Sequence, residues 1–117
     1  GFSLLGHATE MAQASGVGLQ IEFDRIPILH NALPYAMQFI FPGGAFDNRE
    51  YFRHAVTFEK ELPEYSQMLL FDPQTSGGLL LAIPASGCEK FEEIMSSGGN
   101  AFWSIGEVVQ GSGITVV

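Results

Sequence analysis

The sequence predicts an α+β domain, a mixed sheet of four or slightly more strands layered with helices. Three observations carry that expectation. Apolar residues recur with helical period over 3–15 and then alternate over 18–23, with only Gly16-Val17-Gly18 near the junction. Five consecutive apolar residues, Leu79 to Ile83, stand between Gly77-Gly78 and Pro84, the pattern of a strand buried on both faces. A capped helical stretch then leads to a second strand pattern at 102–109. The segment 79–109 therefore reads as a right-handed strand–helix–strand crossover with its two strands parallel.

Each element has a local reason. In the helix over 3–15, Leu4, Leu5, Ala8, Met11, Ala12 and Ser15 share one face, and Thr9, Glu10 and Gln13 the other. Ser3 is placed to cap its start and Gly16 to stop it. Leu19, Ile21 and Phe23 alternate with Gln20, Glu22 and Asp24, a half-buried strand. Asp24 to Pro27 is a turn. Pro34 interrupts the apolar stretch 28–40 and suits the first position of a helix running to about Phe41. Pro42-Gly43-Gly44 reads as a stop, and Asp47 with Glu50 as a capping box opening a short helix through Arg53. Residues 45–61 carry the weakest pattern. Pro63 opens a helix to about 70, which feeds the loop Asp72–Gly78. Ser86 with Glu89 marks a helix over 87–97, with Cys88, Phe91, Ile94 and Met95 inward, ended by Gly98-Gly99. Gly111-Ser112-Gly113 turns the chain into a last strand, 114–117, expected antiparallel to the one before it.

Composition narrows the function classes. With 117 residues, 46% hydrophobic and 15% charged, the chain suits one globular domain. A chain this long buries roughly two-thirds of its unfolded surface. The net charge is −8. Residues 1–58 hold five acids and three bases, and 59–117 eight acids and two bases. Five Lys and Arg residues make a poor footprint for nucleic acid or an anionic membrane surface, so neither is an expected partner. The single cysteine, Cys88, allows no internal disulfide and no multi-Cys metal site, and it fits a reducing compartment. No membrane-length apolar run or signal peptide is visible, and a cytoplasmic location is expected. The chain opens at Gly1 without Met and enters helix at once, so a piece of a longer polypeptide is expected.

The most site-like stretch is Asp72-Pro73-Gln74-Thr75-Ser76-Gly77-Gly78. Asp-Pro opens a turn, and two glycines let the backbone approach another group closely. Free amides with Thr75 and Ser76 can form an anion nest. No Lys is present and the glycines precede a strand pattern rather than a helix, so it is no P-loop. The alternative is a structural turn. His7 lies beside an apolar helix face and reads first as a packed, hydrogen-bonded residue. His30 and His54 are isolated. Cys88 reads as an inert core thiol, Trp103 as packing or a docking surface, and Asn48 first as a turn or cap residue.

Four motifs occur in order: GFSLLGH (Gly1–His7), PGG…N..Y (Pro42, Gly43, Gly44, Asn48, Tyr51), LFDPQTSGGLLLAIP (Leu70–Pro84) and IGEV (Ile105–Val108). Over essentially the whole chain they resemble the C-terminal domain of bacterial selenophosphate synthetases (selenide, water dikinases), within the aminoimidazole ribonucleotide synthase superfamily. The resemblance implies a partly ferredoxin-like helix-and-sheet fold. It also implies a reaction of the whole enzyme: ATP, selenide and water give selenophosphate, AMP and phosphate, with magnesium. It places the reactive Cys or selenocysteine, its partner Lys and most metal-binding aspartates in an N-terminal domain. The family pattern before this helix is Asp-Val-Thr, whose Asp is a metal ligand upstream of Gly1. No catalytic or metal-binding residue is thus expected in this chain, and no tight binding of ATP or Mg2+ to it alone. The resemblance implies cleft-facing positions at Gly1, Phe2, His7, Asn48, Asp72, Gln74, Thr75, Ser76, Gly77 and Gly78. Its implied partners are the enzyme's own N-terminal domain, selenide and ATP, and a second copy in a homodimer. Ser3 departs from the usual Gly, which puts the local geometry at that position in question. Two alternatives remain: another superfamily enzyme of hydrogenase-maturation or thiamine-phosphate kinase type, and a non-catalytic interaction module.

Overall fold

The computed structural model describes residues 1–59 and 61–117. Helix α1 spans Ser3–Ser15, as its periodicity predicts. It ends on Gly16 at φ +66°, with Gly16 N–H donating to Gln13 and Val17 N–H to Ala12. The inner face differs from expectation. Thr9 is buried, because its hydroxyl donates 2.7 Å to the Leu5 carbonyl and enters the core satisfied. Ser15 is exposed.

Strand β1 (Gly18–Ile21) follows, then a 3-10 turn at Phe23–Arg25. Helix α2 covers Ala32–Met37, starting before Pro34 and stopping short of Phe41. Pro34 is tolerated there because first-turn N–H groups have no helical partner. Helix α3 (Gly43–Phe52) corrects the reading of Pro-Gly-Gly as a stop: Pro42 is the extended residue before the first turn, and its carbonyl accepts Ala45 N–H at 3.0 Å. Asp47 and Glu50 consequently lie inside the helix and form no capping box. A short strand, β2 (Val56–Phe58), stands where the sequence pattern is weakest. Helix α4 (Glu64–Leu69) follows Pro63 as expected.

The largest correction concerns Leu79–Ile83. It is no sheet strand, and Leu79 and Leu81 are 88% and 53% exposed. Leu80 alone of the run packs on the core cluster. An apolar run reports burial preference, not a ladder partner, and β1 already has a neighbour on each side. Helix α5 (Ala85–Ser97) starts two residues before the predicted boundary, directly after Pro84, without the Ser86 cap. It buries no residue fully; Phe91 and Met95 are half-buried, and Phe91 meets Phe102 edge-on at 5.8 Å. Cys88 is exposed rather than a core thiol, and Ile94 and Trp103 are 55% and 57% exposed.

Strands β3 (Gly106–Val109) and β4 (Gly113–Val116) complete a four-stranded mixed sheet of order β2-β4-β1-β3. β4 runs parallel to both β1 and β2, and β3 runs antiparallel to β1. The last two strands thus do not pair with each other; β1 lies between them. The α+β class stands, with β2 in place of the expected strand at 79–83. Leu5, Ala8 and Ala12 of α1 meet Ile21, Ile114 and Val116 of the sheet in one core cluster that also holds Phe52, Leu70 and Phe71. This core fixes the start of α1, the end of α3 and the exit of α4 against one another.

Candidate functional site

Those three points carry the candidate site. The exit of α4 is buried through Met68, Leu70 and Phe71, each no more than 2% exposed. Leu70 N–H, Phe71 N–H and Asp72 N–H close the last turn onto Gln67, Met68 and Leu69. The Leu70 carbonyl then accepts Leu5 N–H, an orphan donor of the first turn of α1, at 3.2 Å. The loop after Phe71 is rooted in core, although no strand follows it.

The opening residues lie against that loop. A β-carbon on Gly1 would stand 2.9 Å from the Gln74 carbonyl oxygen and 3.2 Å from its N, so only a glycine lets the two backbones approach this closely. On α3, Gly44 backs onto Pro73. Asn48, one turn further along, donates to the Gly1 carbonyl at 3.1 Å and to the Phe71 carbonyl at 3.0 Å. Gly77 folds back toward the Gln74 side chain. Gln74, Thr75, Ser76, Gly77 and Gly78 are all exposed, with Thr75-Ser76 forming the turn.

Beside this junction is a groove of about 370 Å³ lined by Phe2, Glu10, Asp47, Asn48, Tyr51 and Phe52. Phe2 meets Phe52 edge-on at 6.1 Å and the His7 ring at 5.9 Å. His7 is an exposed residue, not a packed one, and its Nδ1 lies 3.1 Å from Glu10. Partial burial raises the pKa of Asp72 above the ordinary 3.8, since a desolvated carboxylate favours its neutral form. The structure thus brings Gly1, Phe2, His7, Asn48, Asp72, Gln74 and Gly77 to one end of the molecule, with Thr75, Ser76 and Gly78 on the exposed part of the loop. Sequence reasoning does not single out Glu10, Asp47 or Phe52 as site residues, and reads Asp47 as a helix cap. Asp47 and Phe52 flank the Asn48–Tyr51 motif, and Phe52 shares a helix face with Asn48 at the i, i+4 spacing.

Charge sets a limit on the chemistry. Arg25, Arg49, Arg53 and Lys90 each face a carboxylate, on Glu22, Glu64, Glu50 and Glu93. Among the described residues, no three His, Cys, Asp or Glu side chains gather as a metal site. No helix among them is long and apolar enough to cross a membrane.

The chain belongs to the family of AIR synthase related proteins, as their C-terminal domain, the family model matching residues 1–117. Within that family it is similar to proteins named selenide, water dikinase. The protein of that name from Colwellia psychrerythraea is 41% identical over 117 residues, covering 99% of this chain and 33% of the relative. The one from Pseudomonas aeruginosa is 37% identical over 116 residues, again 99% of this chain and 33% of the relative. The one from Caldanaerobacter subterraneus subsp. tengcongensis is 44% identical over 94 residues, 80% of this chain and 26% of the relative. The chain spans a third or less of the length of these curated relatives.

Proposed function

We propose that this chain is the C-terminal domain of a selenophosphate synthetase, which converts ATP, selenide and water into selenophosphate, AMP and phosphate, and that it walls one side of the reaction cleft. The observation that carries this reading is the contact of Gly1 with Gln74, which puts the opening motif and the loop motif on one edge of the molecule. The names of relatives matching 99% of the chain support the substrate class.

Phosphoryl transfer needs metal and cationic groups to neutralise phosphate charge. The described residues are ill-suited to supply them, because their Lys and Arg side chains are paired with carboxylates and they gather no metal site. ATP and Mg2+ are therefore assigned to the rest of the polypeptide, and no chemical step is routed through this chain. Its contribution is to position the loop Asp72–Gly78, exclude water and complete the cleft. Its partners are the N-terminal domain of the same enzyme and, in the assembled protein, a second copy; its setting is the cytoplasm.

The test is selenide-dependent AMP formation from magnesium-ATP. The full polypeptide is expected to show it and the 117-residue chain alone to show none. Turnover by the chain alone sinks the division of labour; a full polypeptide that ignores selenide sinks the substrate assignment. Replacing Thr75 and Ser76 together by Ala is expected to lower kcat/KM about tenfold, the loss of roughly one substrate hydrogen bond. The unfolding midpoint should stay in place, because both residues are exposed.

A further inference from the structure

Asn48 sits in mid-helix on α3 and is 7% exposed. A buried amide there is costly unless its donors are used. Two hydrogen bonds from its Nδ2 leave the helix and reach two separate segments of the site: the Gly1 carbonyl at 3.1 Å and the Phe71 carbonyl at 3.0 Å. Phe71 is the last core residue before Asp72, and Gly1 is the residue whose backbone touches Gln74. An NH2 group carries two donors at a fixed angle in one plane, so it sets a distance as well as a bond. Asp, of the same shape, only accepts when ionised, and Ser donates once. A residue needed only to fill space at this point would not have to be a double donor.

We propose that Asn48 is a positioning residue: through the Gly1 and Phe71 carbonyls it fixes the spacing between the opening residues and the loop Asp72–Gly78, and with it the shape of the cleft wall offered to substrate. The kinetic part of this inference rests on the selenophosphate synthetase reading; the structural part rests on geometry alone.

The experiment compares Asn48→Ser and Asn48→Asp with wild type in the full polypeptide. The first removes both bonds without adding charge, its hydroxyl being one bond shorter than the amide, and the second turns two attractions into repulsions. KM for magnesium-ATP is expected to rise about tenfold for Ser and about a hundredfold for Asp, through misplacement of the cleft wall rather than loss of a substrate contact. kcat should fall by less than KM rises. Amide hydrogen exchange at Gln74–Gly78 should quicken in the same order while exchange in α1 and β4 keeps its wild-type rate. Unchanged KM and unchanged loop exchange in both variants overturn the proposal, whatever happens to the unfolding midpoint. If Asn48→Asp does not fold, wild type decides: both Asn48 Nδ2 protons should exchange about a hundredfold more slowly than a free amide, and free exchange overturns the proposal. A wild-type polypeptide that makes no AMP from selenide refutes the enzyme reading instead, and the exchange arms then decide on the clamp.

Discussion

Ser3 is held at φ +72°, in the left-handed region that costs an L-residue about 1–2 kcal/mol. It is also buried, and its Oγ accepts Gly6 N–H at 3.2 Å, a capping contact at the start of α1. The first explains why a Gly would suit this position, and the second how Ser is accommodated. The strain is partly offset by the bond. Ser3→Gly removes both, so it should be neutral or stabilising by about 0.5 kcal/mol, while Ser3→Ala keeps the strain and loses roughly 1 kcal/mol of cap. Urea unfolding should rank the three Gly, Ser, Ala; Ala above Ser would mean that the hydroxyl contributes nothing. Asp72 gives a pH-dependent expectation. Its folded pKa is raised, so the folded carboxylate carries a desolvation penalty at neutral pH. As pH falls through the raised value toward 3.8, the folded state takes up its proton first and the penalty is relieved. Asp72→Asn should therefore be more stable than wild type at neutral pH, with the difference shrinking on acidification. A difference that grows below neutral pH would reverse the sign assigned here. Both effects depend on backbone angle and burial, which residue type alone does not encode.

At the scale of elements, most helices and three of the four strands are legible in the sequence, and the pairing of the strands is not. α1 reads correctly because a 3.6-residue period, a hydroxyl near its start and a glycine at its end agree. Pro42-Gly43-Gly44 misleads because glycine and proline break chains at either end of a helix, and only the packing of Ala45, Asn48 and Phe52 shows which end this is. β2 is three residues long, too short for alternation to register. The run at 79–83 reads as a strand from composition, yet both edges of β1 are taken by β4 and β3. One register contact is sharp enough to test. A β-carbon on Gly106 would overlap the Gln20 carbonyl oxygen across the β1–β3 ladder. Gly106→Ala should cost about 3 kcal/mol, as overpacking against backbone with no room to yield. Gly43→Ala, at the open start of α3, meets nothing within 4 Å and should be neutral or gain up to about 1 kcal/mol. Equal unfolding midpoints for the two variants would contradict this pairing of β1 with β3.

For the whole molecule, the candidate site is half visible in the sequence. The motifs containing Gly1, Asn48 and Asp72–Gly78 stand out separately, and only the family resemblance implies a common cleft-facing edge. What joins them is a set of backbone carbonyls, on Gly1, Leu70 and Phe71, and carbonyls leave no signature in residue type. The same holds for strand order. β4 lies in the middle of the sheet, hydrogen-bonded on one side to β1 and on the other to β2, although it is the last strand of the domain in sequence. During synthesis the chain emerges from its N-terminal side. β1 and β2 must then wait, their facing edges unpaired, until residues 113–116 leave the ribosome and slide between them. Although β3 can pair with β1 a few residues earlier, β2 joins the sheet only in one late, long-range event, and until then the open strand edges of the nascent chain need shelter.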